Sequence, residues 1–474
     1  MYDIYSNKAE EFIDDEEIKN SIEFAKNNKN NITLIDEILK KAETLKGLSH
    51  KEALVLLLCE IKEKNLEIFK LAKKIKNYIY GNRVVIFAPL YISNYCVNGC
   101  SYCPYCFNQK TTTRKKLTQQ EIKNEIIALG KIGHKRIALE AGEDDKNCPL
   151  EYILNSIDTI YDVKNEYGNN IIRRINVNIA ATTVENYEKL KEKNIGTYIL
   201  FQETYNKNCY EKYHKSGPKK SYSYHTTAMD RALTAGIKDI GCGVLFGLGE
   251  YEYDFAALLM HKEHLEANFK IGPHTISVPR IKKANGIELE DFNNKVDDET
   301  FLKIIACFRI AVPYTGLIIS TRENKQIREI ALSYGVSQIS GGSLTSVGGY
   351  EKKENEKDGS AQFETEDKRN LDEIIRWLLE LKYIPSFCTA CYRKKRIGED
   401  FMKISKSGEI KNFCTPNAIL TLKEYLTEFA LQKTKEIGEN LIKNEIEKIN
   451  NENVKNMLCL KLKEIENKKQ DYYF

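Results

Sequence analysis

The sequence predicts an α/β protein centred on a full (β/α)8 barrel of the TIM type, with helical additions before and after it. Two observations support this fold class. Eight short runs rich in β-branched residues follow one another between residues 83 and 343, and amphipathic stretches with helical spacing separate them. Strands that alternate with helices are typical of a parallel sheet, and eight such units close a barrel.

The helical addition at the start covers residues 1–80. Its apolar residues recur three and four positions apart in "ITLIDEILKKAETLKGL" and "ALVLLLCEIKEKNLEIFKLAKKIKNYIY", which predicts amphipathic helices. The run "EALVLLLCEI" is far too short to span a bilayer and indicates a buried helix.

The barrel is expected over residues 81–350. Its predicted strands are "RVVIFAPLYIS", "RIALEAGE", "RINVNIA", "TYILFQETY", "IGCGVLFGLG", "HTISVPRI", "LIISTRE" and "VSQISGGS". The alternative is a doubly wound open sheet, but such sheets usually have fewer strands and a Gly-rich first turn, which this sequence lacks. Catalytic groups of a barrel lie where its strands end, which makes five polar residues candidates: Glu143, Gln202, Glu203, Arg280 and Arg322.

The last region, residues 351–474, is expected to be mostly helical and to hold an iron–sulfur site. It opens with the charged loop "EKKENEKDGSAQ", continues with the helix "NLDEIIRWLLELKY" and then reaches a group of cysteines.

Composition and charge exclude several classes of function. The formal net charge of +4 is small and spread out, so nucleic acid is not expected as a partner. The acidic start "MYDIYSNKAEEFIDDEEIKN" contains no leader pattern, no membrane span is expected, and the protein is predicted to be cytoplasmic. Thirteen cysteines in a reducing compartment point to metal or redox chemistry rather than to disulfides.

Four of these cysteines lie in "YCVNGCSYCPYC", directly after the first predicted strand. Cys96, Cys100 and Cys103 have a Cys-x3-Cys-x2-Cys spacing, and three thiolates can hold three irons of a 4Fe–4S cube while the fourth iron stays open. A structural zinc site is the alternative, but zinc favours paired ligands and complete four-coordination.

A second group consists of Cys388, Cys391 and Cys414, spaced Cys-x2-Cys-x22-Cys. A zinc ribbon would need a fourth Cys or His, and residues 275–474 offer only Cys307 and Cys459. The sequence therefore predicts a second, auxiliary iron–sulfur cluster.

The first cysteine spacing resembles that of the radical S-adenosylmethionine (SAM) superfamily. Tyr102, before the third cysteine, and the pair Gly142 and Glu143 in "LEAGED" fit the same pattern. The resemblance implies that the open iron binds SAM and that only three cysteines are ligands. We therefore expect Cys106, which would close the open position, not to be a ligand. The resemblance also implies that glycine permits close backbone approach and that Glu143 accepts a hydrogen bond from SAM's ammonium group. Three arginines are further candidates for cofactor binding, with Arg173 or Arg174 expected at SAM's carboxylate: Arg173, Arg174 and Arg280.

Both cysteine groups, together with "RRINVNIAATTVENYEKLKEKNIGTYILFQETY" and "GPHTISVPRI", resemble the HydG family of radical SAM tyrosine lyases. This implies cleavage of L-tyrosine to p-cresol and dehydroglycine (2-iminoacetate). The fragment would become CO and CN⁻ at the second cluster, as an Fe(CO)(CN) unit for the H-cluster of FeFe hydrogenase. An extra dangling iron, a ferredoxin or flavodoxin as electron donor, and other hydrogenase maturases as partners are also implied. The alternatives are a ThiH-like 2-iminoacetate synthase of thiamine synthesis and a non-catalytic iron–sulfur scaffold.

Tyrosine brings a carboxylate that needs a cationic partner. Arg322 can offer a bidentate fork, unless it forms a rim salt bridge with Glu323, and Gln202 and Glu203 are expected to contact SAM or substrate. In this family a histidine ligates the dangling iron. We expect His264 in that role, with two competitors, although a helical histidine is more often an ordinary core or surface residue: His274, then His261.

Overall fold

The structure is a computed structural model that describes residues 1–352 and 359–474. Residues 353–358, in the charged loop predicted after the barrel, lie outside the described residues. Eight strands form the centre of the molecule: β1 (Arg83–Ser93), β2 (Arg136–Ala141), β3 (Arg174–Asn178), β4 (Tyr198–Glu203), β5 (Ile240–Val244), β6 (Thr275–Ser277), β7 (Gly316–Ile319) and β8 (Gln338–Ser340). All neighbours pair in parallel, and β1 pairs with both β2 and β8, so the barrel is closed. The predicted fold class is confirmed and the open-sheet alternative is wrong.

Helices surround the barrel and extend it at both ends. Five come before it: α1 (Ala9–Phe12), α2 (Asp15–Asn28), α3 (Ile32–Ala42), α4 (His50–Leu58) and α5 (Lys62–Tyr80). Nine lie between the strands or after β7: α6 (Gln119–Lys131), α7 (Leu150–Asp162), α8 (Val184–Glu192), α9 (Lys207–Tyr213), α10 (Tyr222–Thr226), α11 (Ala228–Thr234), α12 (Tyr251–Phe269), α13 (Asp298–Ala311) and α14 (Lys325–Tyr334). The rest follow the barrel: α15 (Gly349–Lys352), α16 (Leu371–Glu380), α17 (Ala390–Arg393), α18 (Glu399–Lys406), α19 (Ile410–Glu428), α20 (Gln432–Glu447) and α21 (Glu452–Glu466).

Strand β1 shows how the sequence lines the barrel. Its even-numbered residues Val84, Ile86, Ala88 and Leu90 are fully buried on one side. The alternate residues point into cavities inside the barrel: Val85, Phe87, Pro89 and Tyr91. Because successive strand residues face opposite sides, one strand reaches from the lower end of the barrel to the upper end.

The N-terminal helices cover the outside of the barrel, where α4 and α5 pack on α13 and α4 also packs on α12. The apolar run of α4 is buried on all sides, as its composition predicts. Ser49 and Glu52 begin this helix with a reciprocal capping box, which satisfies backbone donors at its first turn. No helix in the described part of the chain is long and apolar enough to cross a membrane.

The region after the barrel covers the lower end, where the strands begin. A ninth strand, β9 (Ile384–Ser386), pairs in parallel with Arg83–Val85 at the start of β1. Helix α19 packs on β9 and on α5. The second cysteine group, which follows β9, therefore lies at the opposite end from the loop after β1. The division of the chain into 1–80, 81–350 and 351–474 stays a prediction.

Candidate active site

The first cysteine group lies at the upper end of the barrel, in the loop that follows β1. Cys96, Cys100 and Cys103 line a cavity of about 160 Å³. Within the same loop the backbone N–H of Val97 donates a hydrogen bond to the carbonyl of Glu143 at 2.8 Å. This contact ties the cysteine loop to the end of β2, so the three thiols and Glu143 face one space.

Gly142 makes this close contact possible. A Cβ at this position would lie 2.3 Å from the backbone oxygen of Tyr95, so a larger residue would push the cysteine loop away. The next residue, Glu143, lines the cavity and accepts a hydrogen bond from Nδ2 of Asn98 at 2.5 Å. Burial raises the pKa of Glu143, and a cation in the cavity, such as an ammonium group, would relieve that cost.

Tyr102 lines the same cavity and anchors the loop to α9. The Nδ1–H of His214 donates to the carbonyl of Tyr210 at 2.7 Å, which leaves Nε2 to accept from the hydroxyl of Tyr102 at 2.8 Å. Burial lowers the pKa of His214 to about 3, so the ring is neutral and able to accept.

The polar residues that end β4 point in different directions. The register with β5 shifts between Phe201 and Glu203, and Glu203 has a φ of 70°. This bulge turns its carboxylate into the cavity, where it pairs with Lys219 at 2.9 Å. Gln202 instead donates to Oγ1 of Thr226 at 2.9 Å and does not line the cavity. The structure therefore does not bring Gln202 to the cavity, because the bulge interrupts the simple alternation of sides, and its contact with substrate or SAM stays a prediction.

Lys219 is a site residue that sequence reasoning missed. It lies in a short 3-10 helix, Pro218–Lys220, between α9 and α10, where no periodic pattern marks a lysine as inward-facing. The carboxylate of Glu203 and nearby Cys100 raise the pKa of Lys219 despite its burial. The cavity thus contains a fixed positive charge beside the cysteine loop.

Beneath the cavity, the barrel interior forms a chamber that shares lining residues with it, among them Tyr91, Glu140, Asn178 and Arg322. The guanidinium of Arg322 lies 4.0 Å from the ring centroid of Phe363. Within residues 1–352 and 359–474, no carboxylate lies at ion-pair distance from Arg322.

The alternative of a rim salt bridge between Arg322 and Glu323 is wrong. Glu323 forms ion pairs with Arg280, at an Nη2–Oε2 distance of 2.7 Å, and with Lys282. Arg280 also bonds Asp298, and its guanidinium does not line the cavity. The structure therefore does not place Arg280 at the cavity, because ion pairs outside the cavity occupy its donors, and its role in cofactor binding stays a prediction.

Glu140 is the second residue that sequence reasoning missed. It occupies an inward position of β2, two residues after Ala138, which also lines the chamber. Burial raises the pKa of Glu140 to about 8, against the opposing effects of a hydrogen bond from Asn178 and the charge of Arg322. An acidic residue at an inward position of a predicted barrel strand was the signal that could have found it.

Arg173 and Arg174 lie at the start of β3, at the lower end of the barrel. Nη1 of Arg173 donates to Oε2 of Glu424 at 2.9 Å, and Nη1 of Arg174 donates to the carbonyl of Asn194 at 3.1 Å. Neither arginine lines the upper cavity. The structure does not bring them to the cysteine loop, because residues that begin strands face the opposite end, and their role at SAM's carboxylate stays a prediction.

The second cysteine group lines a small cavity at this lower end. Cys388, Cys391 and Cys414 share it with other polar and aromatic side chains, including Tyr80, Arg83, Arg136, His274 and Tyr392. A hydrogen bond between Cys391 and Cys414 lowers the pKa of the Cys414 thiol to about 6. Three thiols, one imidazole and two guanidinium groups therefore line one cavity.

His264 is not part of this lower cavity. Its Nε2 lies 2.7 Å from Oδ1 of Asp230, its Nδ1 lies 2.8 Å from the carbonyl of Ile4, and its ring stacks on Phe12 at 3.8 Å. The structure therefore does not bring His264 to the second cysteine group, and its role as an iron ligand stays a prediction that this placement does not favour. Helix α12 turns this residue toward the N-terminal segment, which covers it, instead of toward the cysteines.

His274 is the histidine that the fold brings to the second cysteine group. It precedes β6, where the strands begin, and its ring lies 4.3 Å from that of Phe401. Nδ1 of His274 has no hydrogen-bond partner among the described residues. His261, the third candidate, bonds the hydroxyl of Tyr205 at 2.8 Å and does not line this cavity.

Both thiol groups fit a cluster better than a single ion. Across residues 1–352 and 359–474, no three His, Cys, Asp or Glu side chains converge to hold one metal ion. A four-iron cube is larger and takes thiolates spaced around a cavity. Burial raises the pKa of Cys103 to about 12, so deprotonated thiols here require nearby cations, as irons would provide.

Cys106 lies beside the cavity without lining it. Its thiol donates to Oδ1 of Asn108 at 2.9 Å. A role outside the cluster stays a prediction, and this hydrogen bond favours it.

Known proteins share this arrangement. The radical SAM superfamily model matches residues 90–260, and the model of the biotin and thiamin synthesis associated domain matches residues 277–384. A crystal structure of HydG, a maturase of the [FeFe]-hydrogenase, has 53% identity and a TM-score of 0.94, with 98% of this chain and all of that one covered. HydG from Carboxydothermus hydrogenoformans has 37% identity and a TM-score of 0.83, with 96% and 100% covered. The 2-iminoacetate synthase of Salmonella typhimurium is 27% identical over 59% of this chain and 71% of its own length.

Proposed function

Because the chain belongs to the HydG family of radical SAM tyrosine lyases, we propose that it cleaves the Cα–Cβ bond of L-tyrosine and converts the fragment at a second cluster. The products would be p-cresol and 2-iminoacetate, and then CO and CN⁻ for an Fe(CO)(CN) unit used in H-cluster assembly. A ferredoxin or flavodoxin would supply electrons, and other FeFe-hydrogenase maturases would receive the product.

A 4Fe–4S cluster and SAM are the cofactors of the upper site. Cys96, Cys100 and Cys103 would hold the cluster, and Gly142 and Glu143 would position SAM's amino end. When bound and reduced, these cofactors supply the carbon radical that removes a hydrogen atom from the substrate. Exclusion of water from the cavity would protect such a species from side reactions.

The observation that carries the proposal is that Arg322 and Glu140 line one chamber beneath the cysteine loop. An α-amino acid needs a cation for its carboxylate and an acceptor for its ammonium group. The Arg322 guanidinium, free of protein carboxylates among the described residues, suits the first role. Glu140 suits the second, because burial raises the pKa of its carboxyl, and an ammonium group beside the carboxylate would offset the cost of its buried charge.

The lower site would complete the reaction. Cys388, Cys391 and Cys414 would hold the auxiliary cluster, and His274 rather than His264 would supply an imidazole to the extra iron. The interior positions of β1 support an internal route, since Val85 lines the lower cavity while Phe87 and Pro89 line the chamber above it. The cleaved fragment would pass between the two sites within the barrel.

Two alternatives remain distinguishable. A ThiH-like lyase would release 2-iminoacetate, and the lower cysteine cavity argues against it. A non-catalytic scaffold would leave the Arg322 and Glu140 chamber without a purpose.

Product analysis after incubation of the reduced protein with SAM and tyrosine tests all three. We expect p-cresol and CO together. Cresol without CO would favour the ThiH-like activity, and neither product would favour the scaffold. The variant Cys388→Ala should keep cresol formation and lose CO, whereas Cys103→Ala should lose both.

A further inference from the structure

A basic cleft opens at the lower end of the barrel, next to the second cysteine group. It lies between the starts of β3, β4 and β5 and the segment that follows Cys391. Six cations and two carboxylates line it: Arg173, Arg174, Lys191, Lys238, Arg393, Lys395, Asp239 and Asp471. Six cations against two carboxylates make the lining of this cleft basic.

One aromatic ring separates the cleft from the cavity of the second cysteine group. Tyr392 lines both spaces. On the cleft side the guanidinium of Arg174 lies 3.7 Å from its ring centroid, and on the cavity side the ring of His274 lies 6.3 Å away. The Tyr392 hydroxyl is held by Oγ1 of Thr197 at 3.2 Å. Rotation of this side chain would join the two spaces.

The cleft already holds a carboxylate of this chain. Asp471 pairs with Nε of Arg173 at 3.1 Å and with Nη1 of Arg393 at 2.7 Å. In the described part of the chain, Lys238 and Lys395 have no carboxylate at ion-pair distance. Nε of Arg174, a residue that is 7% exposed, has no hydrogen-bond partner there. The cleft therefore contains cationic groups that do not pair with Asp471.

We propose that this cleft binds small carboxylates and other small anions and is the passage between solvent and the cavity of Cys388, Cys391 and Cys414. Tyr392 is its gate, and Asp471 is a displaceable occupant. The inference rests on the proposed function, in which the fragment that reaches this cavity carries a carboxylate. The cationic walls attract that anion and retain it near the gate.

Direct binding is tested with glyoxylate, in oxidised enzyme that holds SAM and tyrosine, so that the upper chamber is filled and no turnover occurs. Saturation-transfer NMR reports the affinity. The double variant Lys238→Gln/Lys395→Gln should bind glyoxylate about fivefold more weakly, since each exposed pair contributes up to about 1 kcal/mol. The matched control Lys123→Gln/Lys325→Gln changes two exposed lysines away from the cleft and should bind as wild type. Asp471→Asn should bind more tightly. Equal affinity in the cleft double variant and the wild type overturns the proposal.

The gate is tested by product partition. Iminoacetate that escapes meets water, which adds to the C=N bond; ammonia leaves and glyoxylate remains. Tyr392→Ala should raise glyoxylate per p-cresol severalfold and lower CO per p-cresol, while Tyr392→Phe, which keeps the ring, should stay near wild type. Iron content is measured to verify that both clusters are retained. If Tyr392→Ala makes cresol with unchanged partition, Tyr392 is not the gate. If the wild type makes no cresol, the proposed function fails instead.

Discussion

Arg322 offers the sharpest test of the upper chamber. Its guanidinium is largely enclosed, lies 4.0 Å from the ring centroid of Phe363 and has no carboxylate partner among the described residues. Burial lowers the pKa of this group, which means that the empty chamber disfavours its charge. A substrate carboxylate would offset the free-energy cost of the buried guanidinium charge. Binding of the carboxylate should therefore depend strongly on the charge of Arg322.

The size of the effect follows from this geometry. Removal of one partner from a buried charged pair costs about 3–5 kcal/mol. Because Arg322 is not completely buried, we take the lower end, about 3 kcal/mol, which corresponds to roughly a hundredfold change in an equilibrium constant. Arg322→Gln should therefore lower kcat/KM for tyrosine about a hundredfold through KM. Arg322→Lys should lose most of the same affinity for tyrosine, because lysine keeps the charge but cannot donate two parallel hydrogen bonds to a carboxylate.

The assay is p-cresol formation at varied tyrosine concentration, with SAM affinity measured separately. Arg280→Gln is the control: it breaks the buried pair with Glu323, so it should lower the melting temperature and leave the tyrosine KM unchanged. A wild-type tyrosine KM in Arg322→Gln would refute the assignment, and loss of SAM affinity with an unchanged tyrosine KM would move Arg322 to the cofactor.

Four further predictions follow from the structure. His264→Ala should lower the melting temperature, because the ring packs on Phe12 and bonds Asp230, and it should leave the iron content unchanged. His274→Ala should lose iron from the lower site with little loss of stability. The reverse pattern would make His264 the ligand. Glu140 has a folded pKa of about 8, above its ordinary value of 4.5, so its contribution should destabilise the tyrosine-free protein increasingly as pH rises from about 5 to 8. Glu140→Gln should therefore gain about 3 kcal/mol more stability at pH 9 than at pH 6, and an equal gain at both would contradict this. Gly142→Ala should displace the cysteine loop and reduce both cluster occupancy and SAM binding, whereas wild-type values would show that the 2.3 Å approach to Tyr95 is easily relieved. Cys106→Ala should keep the iron of the upper site, and a loss equal to that of Cys103→Ala would make it a ligand.

Much of the fold could be predicted because local patterns carry it. Alternation of β-branched runs with amphipathic stretches reports strands and helices directly, and eight repeats leave few architectures besides a barrel. The cysteine spacings and the Gly142 and Glu143 pair were also visible, since residues close together in sequence remain close in one loop or at one strand end.

The sequence did not reveal the direction in which individual side chains point, nor the partners that they find in distant segments of the chain. Gln202 and Glu203 are adjacent, and only the bulge that pairing with β5 produces decides which enters the cavity. His264 and His274 both belong to the stretch around α12, and packing of the N-terminal segment decides that the first is covered.

The sequence by itself determined the barrel, the two cysteine groups and the glycine that allows the cysteine loop to approach β2. The tertiary structure alone decided that Arg173 and Arg174 lie at the lower end of the barrel and that Arg280 forms an ion pair with Glu323. It also decided that Glu140 and Arg322 line the same chamber. The physical reason is the sequence distance over which the relevant interactions act. Periodicity and spacing reflect interactions within a few residues, whereas the direction and charge partners of a buried side chain depend on segments that folding brings together.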